Sequence, residues 1–420
     1  MLKIRNIQLA DGNRVDITIE GSKISRVKKA TGLKKGVDGT GLIAIPGVID
    51  PHVHFRIPGA SHKEDWESGS AAALKGGVTT VFDMPNTSPP LTTIKRLRGK
   101  RRLVGISHQI NPRFWFAGTI SNLNEIAVLK REPDVIGVKV YMSSPVRDLL
   151  ITENNDLRKI FAICAANNLM VGVHAEDEIL IRAKRSALGR DPQLTDHPLI
   201  HDTEVEVSAV QRALPLAEET GCQLYFCHIS TPESVEIILE AKKKGLPVFI
   251  EITPHHITLS QENLQGAEGS YFKMNPSLRR VEQVSRLREY VCDGSVDTVG
   301  SDHAPHTHQE KKRPTYDDIP SGVPGVETLL PILFNLVSRG EMTIERLIDL
   351  TSRKAAEIFK LEGRGKIEEG CFADLVLIDP NQEMIFTNST IKTKCGWTPY
   401  QGITVKGVPK MTIVSGKIIK

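Results

Sequence analysis

Short apolar runs alternate with helix-like stretches through the middle of the chain, from about residue 47 to residue 360. Helical periodicity is clearest at 67–75, 156–167, 204–220 and 232–244. Repeated strand–helix units favour parallel pairing of the strands. The candidate strand ends lie at 52–54, 81–83, 115–118, 138–140, 171–174, 224–228, 248–252 and 298–302. Eight such units predict an α/β fold, a (β/α)8 TIM barrel whose active site lies at the carboxyl ends of the strands. An open doubly wound sheet is the alternative, but no G-x-G-x-x-G follows the first strand.

Both ends of the chain have a different texture. They alternate β-branched and polar residues and are punctuated by Gly and Pro. The pattern predicts a small β-sandwich domain assembled from the two termini. We therefore expect residues 1–46 and 361–420 to form this domain and residues 47–360 to form the catalytic barrel.

Composition narrows the classes of function. The chain has 54 basic and 50 acidic residues, a net charge of +4, so it lacks the charge typical of nucleic-acid or anionic-membrane binding. The densest basic cluster, residues 95–102, is interpreted as a solvated face. Six cysteines without a C-x-x-C pair predict free thiols in a reducing compartment. No secretory signal and no membrane-length apolar run is found, which predicts a cytoplasmic protein.

Polar residues that could bind metal end five of the predicted strands. They are His52, His54, Lys139, His174, His228 and Asp302. The H-x-H spacing of the first two places both imidazoles on one face of a strand, and imidazole suits zinc. Any one of these residues has an ordinary explanation as a core histidine or a helix cap. A lysine among apolar strand residues is harder to dismiss, because a buried ammonium is costly and burial favours the neutral amine, which reacts with carbon dioxide. Jointly the six residues predict a binuclear metal site.

The surrounding motifs resemble the amidohydrolase superfamily over the whole chain, and within it the cyclic amidohydrolases, the dihydroorotase family above all. The resemblance rests on PGVIDPHVHFR at 46–56, GGVTT at 76–80, DMPNT at 83–87, GVKVY at 137–141, VHAE at 173–176, CHIS at 227–230, EITPHH at 251–256, KMNPSLR at 273–279 and SDHAPH at 301–306. As a set these motifs are highly specific.

The resemblance implies a cofactor of two Zn2+ ions per chain. One ion would be bound by His52, His54, Asp302 and a carbamate on Lys139, which makes this residue an N6-carboxylated lysine. The second ion would be bound by His174, His228 and the same carbamate, with a hydroxide bridging the two ions. Asp302 would be the catalytic proton carrier.

The resemblance also implies the substrate and the residues that bind it. The reaction would be the reversible cyclisation of N-carbamoyl-L-aspartate to dihydroorotate in pyrimidine biosynthesis. Arg56, Asn86 and His306 match positions that bind the substrate carboxylate, and an arginine suits a planar carboxylate. Asn275 matches a position that bonds the ring amide edge, and a loop containing Gly322 and Pro324 would contact the ring. Ile57 and Ser277 depart from the family pattern and affect only local loop geometry.

Two alternatives remain at this point. Another cyclic amidohydrolase, an allantoinase or hydantoinase (dihydropyrimidinase), predicts a residue other than arginine at position 56, so Arg56 argues against it. A non-catalytic scaffold of the same fold would have lost metal ligands, whereas all six are present. Homo-oligomerisation and association with an aspartate carbamoyltransferase are compatible with either outcome, and neither nucleic acid nor membrane is an expected partner. The loop at 304–323 is a candidate lid, with a solvated insertion as the equal alternative.

Overall fold

The computed structural model describes residues 1–32, 35–105 and 109–419, and it contains two eight-stranded sheets. The strands are β1 (Leu2–Gln8), β2 (Arg14–Glu20), β3 (Lys23–Lys29), β4 (Val37–Asp38), β5 (Ile43–Pro46), β6 (Val48–Val53), β7 (Val78–Asp83), β8 (Asn111–Ala117), β9 (Val135–Tyr141), β10 (Val171–His174), β11 (Leu224–Phe226), β12 (Val248–Ile252), β13 (Thr298–Val299), β14 (Leu375–Ile385), β15 (Thr404–Val414) and β16 (Lys417–Ile419).

Helices lie between most of the barrel strands and follow the last of them. They are α1 (Trp66–Lys75), α2 (Ile94–Val104), α3 (Leu123–Ile126), α4 (Asn154–Ala166), α5 (Glu178–Ala187), α6 (His197–Ile200), α7 (Thr203–Thr220), α8 (Pro232–Lys243), α9 (Val281–Asp293), α10 (His308–Lys311), α11 (Leu329–Ser338), α12 (Ile344–Ile348) and α13 (Lys354–Ile358). The four helices predicted from periodicity are present within about two residues of their expected ends.

The barrel sheet runs in chain order from β6 to β13, and every pair in it is parallel. An isolated parallel bridge between Val53 and His303 joins the first strand to the segment after the eighth. The (β/α)8 prediction is therefore confirmed. Two strands end at Phe226 and Val299, earlier than expected. Their predicted last residues, His228 and Asp302, have φ of 37° and 44° and are therefore not extended.

Aromatic side chains fill the barrel interior on the amino-terminal side of the strand ends. Trp115 and Tyr225 pack here with Phe359, all with ring centroids 5.0 to 6.0 Å apart. A Cβ on Gly137 or Gly172 would lie 2.7 or 2.8 Å from the Trp115 ring, so the neighbouring strands need glycine at these positions. With the lower interior filled, polar side chains can converge only at the carboxyl ends of the strands.

The second sheet uses both ends of the chain, as predicted. Its order is β16-β15-β14-β5-β1-β2-β3, with β4 paired to β1. N-terminal residues such as Ile17 and Ile19 share one buried cluster with C-terminal residues such as Leu375 and Ile413. β5 ends at Pro46 and β6 begins at Val48. The division at 1–46, 47–360 and 361–420 stays a prediction.

The segment 386–403 between β14 and β15, here called the strap, leaves the small sheet and packs on the barrel. Its residues Phe386, Trp397 and Tyr400 share a buried cluster with Met274 and Val323 of the barrel loops. The indole N–H of Trp397 donates to the carbonyl of His306 at 2.7 Å. Nothing in the sequence pattern predicted this docking.

One expectation for the basic cluster at 95–102 was wrong in part. The cluster forms much of α2, and Lys95, Arg96 and Arg98 are exposed. Lys100, however, is buried and pairs with the buried carboxylate of Asp83. The ion pair compensates both buried charges. Asp83 also accepts the backbone N–H of Phe55 at 2.9 Å, so the pair supports the segment that follows β6.

The six cysteines are free, as expected, and four of them are buried. Among the residues that the structure describes, none of the helices is both long and apolar enough to cross a membrane.

Candidate metal centre

All six predicted metal ligands lie together at the carboxyl ends of the barrel strands. His52 is in β6 and His54 follows it, Lys139 is in β9, His174 ends β10, and His228 and Asp302 come shortly after β11 and β13. The ring centroids of His52 and His228 are 5.1 Å apart, and those of His174 and His228 are 4.8 Å apart. The strand-end pattern thus brings distant parts of the chain to one point.

Three residues of the centre have a strained backbone. Arg56, His228 and Asp302 have φ of 59°, 37° and 44°, in the left-handed region that non-glycine residues rarely adopt. Such strain costs of order 1–3 kcal/mol per residue and persists at functional sites where the surroundings enforce it. It directs these side chains inward at positions where a strand would have continued.

One half of the centre consists of His52, His54 and Asp302. Their ligand atoms all lie within 4.8 Å of one another. The Nε2 atoms of His52 and His54 are 3.3 and 3.1 Å from Oδ1 of Asp302. Because the Nδ1 atoms of the two rings contact Glu251 and Asn86 instead, the Nε2 atoms are the ones that face the centre.

The other half consists of His174 and His228. Nδ1 of His174 and Nε2 of His228 are 3.0 Å apart. Nε2 of His174 contacts a carboxylate oxygen of Glu176 at 3.0 Å, so this nitrogen is the donor and Nδ1 keeps its lone pair. Two ring nitrogens that converge on the same space are the arrangement a metal ion needs.

Lys139 lies between the two halves. Its side chain is buried, and its Nζ has no hydrogen-bond partner. A buried ammonium without an acceptor is strongly unfavourable. A carbamate on Nζ would replace this charge with two anionic oxygens, and these would suit two adjacent cations. The orphaned amine therefore fits a bridging group between two metal ions.

The protonation states of the histidines also fit a metal centre. Burial lowers the pKa of His52, His54 and His228 well below the usual range. These imidazoles are neutral at physiological pH. A neutral imidazole has the free lone pair that metal binding requires.

Two carboxylates that support the histidines were missed by sequence reasoning. Glu251, in β12, accepts from His52 Nδ1 and from the backbone N–H of His228, both at 2.9 Å. Glu176 accepts from His174 and, at 2.9 Å, from Nδ1 of His201. A carboxylate partner fixes the tautomer of a metal-binding histidine. The only available signal was an acidic residue inside or next to a buried strand.

Substitution of Glu251 by glutamine should weaken metal binding. The neutral amide cannot accept as strongly from His52 and His228, so both rings lose orientation. We expect roughly a 10–100-fold loss of metal affinity, measured by competition with a chelator, with the fold retained by circular dichroism. Glu262→Gln, on an exposed turn, is the matched control. Equal metal affinity in both variants would contradict the role of Glu251.

The predicted substrate-binding residues line the same end of the barrel. Arg56 donates from Nε to the carbonyl of Pro305 at 3.2 Å, and its Nη2 atom is 3.1 Å from Nε2 of His306. The Asn86 Oδ1 atom accepts from His54, which leaves its amide N–H groups for a ligand. The buried Oδ1 of Asn275 has no partner. All of these atoms suit the polar edge of a small molecule.

Gly322 lies near the end of the predicted lid, and Pro324 comes directly after it. Gly322 has φ of 134°, and a Cβ there would lie 2.6 Å from the carbonyl oxygen of Ala304. The residue between them, Val323, accepts the backbone N–H of Ala304 at 2.8 Å. The glycine thus lets two loop strands approach closely at the rim of the centre.

Two buried lysines hold the loop at 304–323 in place by hydrogen bonds to backbone carbonyls. The Lys311 ammonium donates to the carbonyls of Lys273, Pro320 and Gly322, and Lys273 donates to that of Ile319 at 2.8 Å. Residues 312–315 are exposed. The base of the loop is therefore packed, and only its tip is exposed. Movement of this loop as a lid stays a prediction.

The chain matches the family model described as "Amidohydrolase family" over residues 43–419. It belongs to the amidohydrolase family. Within it, the chain is 37% identical over its full length to a dihydroorotase of Halobacterium salinarum, covering 96% of that protein. It is 34% identical over its full length to a dihydroorotase of Methanosarcina mazei, covering 94% of that protein. By these relatives it belongs with the dihydroorotases.

Solved structures agree on the fold. The L-hydantoinase (dihydropyrimidinase) of Arthrobacter aurescens superposes with a TM-score of 0.93 at 29% identity, covering all of this chain and 95% of that one. This structural relative belongs to the alternative branch considered above. Its sequence identity is lower than that of the dihydroorotases.

Proposed function

We propose that the protein is a dihydroorotase, which interconverts N-carbamoyl-L-aspartate and (S)-dihydroorotate plus water. The full-length similarity to dihydroorotases supports this activity. The single observation that carries the substrate assignment is Arg56. Its partly buried guanidinium lies against His306 at the rim of the metal centre, where a ring carboxylate would need a positive partner.

The proposed cofactor is a pair of Zn2+ ions. His52, His54 and Asp302 would bind one ion and His174 and His228 the other, with carboxylated Lys139 bridging them. When bound, such a pair polarises the carbonyl group of the substrate and activates a water molecule. The neutral histidines and the unpartnered Lys139 amine support this proposal.

Asp302 is the proposed proton carrier. In hydrolysis its carboxylate accepts a proton from the attacking water and delivers it to the ring nitrogen that leaves. In the biosynthetic direction the same carboxylate takes a proton from the amide nitrogen that attacks. Its position between His52 and His54 keeps it at the reacting end of the centre.

Arg56, Asn86 and His306 are the proposed carboxylate subsite. Arg56 supplies charge and a planar pair of donors, while Asn86 supplies an amide N–H. Asn275 would bond the ring amide edge, and the segment of Gly322 and Pro324 would contact the ring. The shared geometry at one rim supports these roles.

Arg56→Met separates dihydroorotase from hydantoinase. Loss of the charged partner should raise the activation free energy of dihydroorotate hydrolysis by about 2–4 kcal/mol, read from kcat/KM, because a desolvated carboxylate would lose its counter-charge. The metal content should stay near two ions per chain. If Arg56→Met had the native kcat/KM for dihydroorotate, the hydantoinase alternative would be favoured. The same would follow if the native protein hydrolysed 5,6-dihydrouracil faster than dihydroorotate.

Cytoplasmic location, homo-oligomerisation and association with an aspartate carbamoyltransferase stay predictions. Sedimentation of the protein alone and with that enzyme tests the last two.

A further inference from the structure

Lys63 reaches the carboxylate subsite from the loop between β6 and α1. Its Nζ lies 3.0 Å from Nδ1 of His306 and 2.9 Å from Oε1 of Glu310. Only 16% of the side chain is exposed. The ammonium therefore contacts one ring nitrogen of His306, Nδ1, whereas Arg56 lies beside the other, Nε2.

This contact determines where His306 carries its hydrogen. An ammonium group has donors only, so Nδ1 of His306 must accept. The backbone carbonyl of Ser321 lies 3.1 Å from Nε2 and requires a donor there. Both contacts demand the same neutral tautomer, with the hydrogen on Nε2.

Arg56 makes the opposite demand, because its guanidinium donor 3.1 Å from Nε2 of His306 would favour an acceptor there. Hydrogen on Nε2 leaves only this contact unsatisfied, whereas hydrogen on Nδ1 would leave those of Lys63 and Ser321 unsatisfied. An anion at this point would bind the Arg56 guanidinium and share the His306 hydrogen with the Ser321 carbonyl. The geometry places N–H groups of Arg56 and His306 side by side.

Glu310 holds Lys63 in place. Its carboxylate accepts from Lys63 and from the backbone N–H of Thr307 at 2.9 Å. Burial would raise the pKa of Glu310, but the hydrogen bonds from Lys63 and Thr307 outweigh it and lower the pKa to about 2. The other carboxylate oxygen is 3.9 Å from Nδ1 of His306, too far to compete with the ammonium.

We propose that Lys63, anchored by Glu310, is a positioning residue that holds His306 as the Nε2–H tautomer and thereby selects a substrate carboxylate. The inference deepens the proposed dihydroorotase function and rests on it. Lys63 touches His306 rather than the expected ligand position, so it acts through the histidine. Its positive charge also adds to that of Arg56 at the subsite.

The test compares Lys63→Met with Lys394→Met in the zinc-loaded enzyme. Lys394 is a nearby lysine that pairs with Asp65 and is 41% exposed, so its loss removes the same charge without touching His306. We expect Lys63→Met to raise KM for dihydroorotate roughly tenfold, with kcat and metal content nearly unchanged. The ratio of kcat/KM for dihydroorotate to kcat/KM for 5,6-dihydrouracil should fall by a similar factor.

A pH profile distinguishes positioning from a structural role. Burial lowers the pKa of His306 well below the usual range, and Arg56, Lys63 and Lys311 lower it further, while Glu310 is the facing acid. Removing the Lys63 charge raises that pKa. As the pH falls, His306 of the variant gains a proton on Nδ1 and keeps Nε2–H, so its KM should fall back towards the native value.

Two results would overturn the proposal. One is the same KM, pH profile and substrate preference in Lys63→Met as in Lys394→Met, with Arg56→Met still impaired. The other is a nitrogen-15 NMR spectrum of the native zinc enzyme that shows His306 protonated on Nδ1, a measurement that does not depend on any variant folding. If Arg56→Met is also unimpaired, the proposed function fails as well.

Discussion

Replacing Lys139 by alanine should remove the metal ions and abolish turnover. As a free ammonium, Lys139 would repel two cations at bonding distance, whereas its carbamate would supply one anionic oxygen to each. The unpartnered, buried Nζ is the structural reason to expect this modification. Intact-mass analysis of the native protein should show about 44 Da of added mass on this lysine under conditions that preserve the metal.

Rescue makes the Lys139 prediction specific. Acetate or propionate added to Lys139→Ala should partly restore metal content and activity by filling the cavity with a bridging carboxylate. Lys184→Ala, a change at a partly exposed lysine on α5, is the control and should need no rescue. An unmodified Lys139 with two bound metal ions and full activity would refute the bridging role.

The Asp302→Asn variant should have almost no hydrolytic activity, although asparagine has nearly the same shape as aspartate. The amide cannot accept a proton from water, so kcat should fall on the order of 10³-fold or more. Steady-state assays at saturating dihydroorotate measure this loss.

Metal analysis must accompany the Asp302 assays. The variant informs on proton transfer only if both ions remain bound, because Asp302 is also a proposed ligand. Substantial turnover by a fully loaded Asp302→Asn would assign the proton role elsewhere, with His306 the next candidate.

The fold and the positions of the metal ligands were predictable for one physical reason. Parallel strands bring their carboxyl ends together, so polar residues at the ends of apolar runs must converge. The exact strand ends could not be predicted, since β13 stops at Val299 and Asp302 depends on a strained turn beyond it. His54 likewise lies just outside β6, yet its ring still faces that of His52.

The residues that support the ligands were not predictable from local patterns. Glu251 contacts His52 and His228 only after the barrel has formed, and Lys63 meets His306 across two separate loops. Periodicity reports which face of an element is buried, but not which polar pairs meet there. Lys100 shows the same limit, because its charge is compensated by Asp83 on another element.

The strap has a consequence for how the enzyme is made. A growing chain emerges from the ribosome with its N-terminus first, so the barrel can begin to fold during synthesis. The partners of β5 in the C-terminal strands, and Trp397 against the loop of His306, are translated last. The wall of the carboxylate subsite is therefore completed only when translation is nearly finished. A polypeptide stalled before residue 386 could bring the metal-binding histidines together. It would lack the strap, which packs behind the residues proposed to bind the substrate.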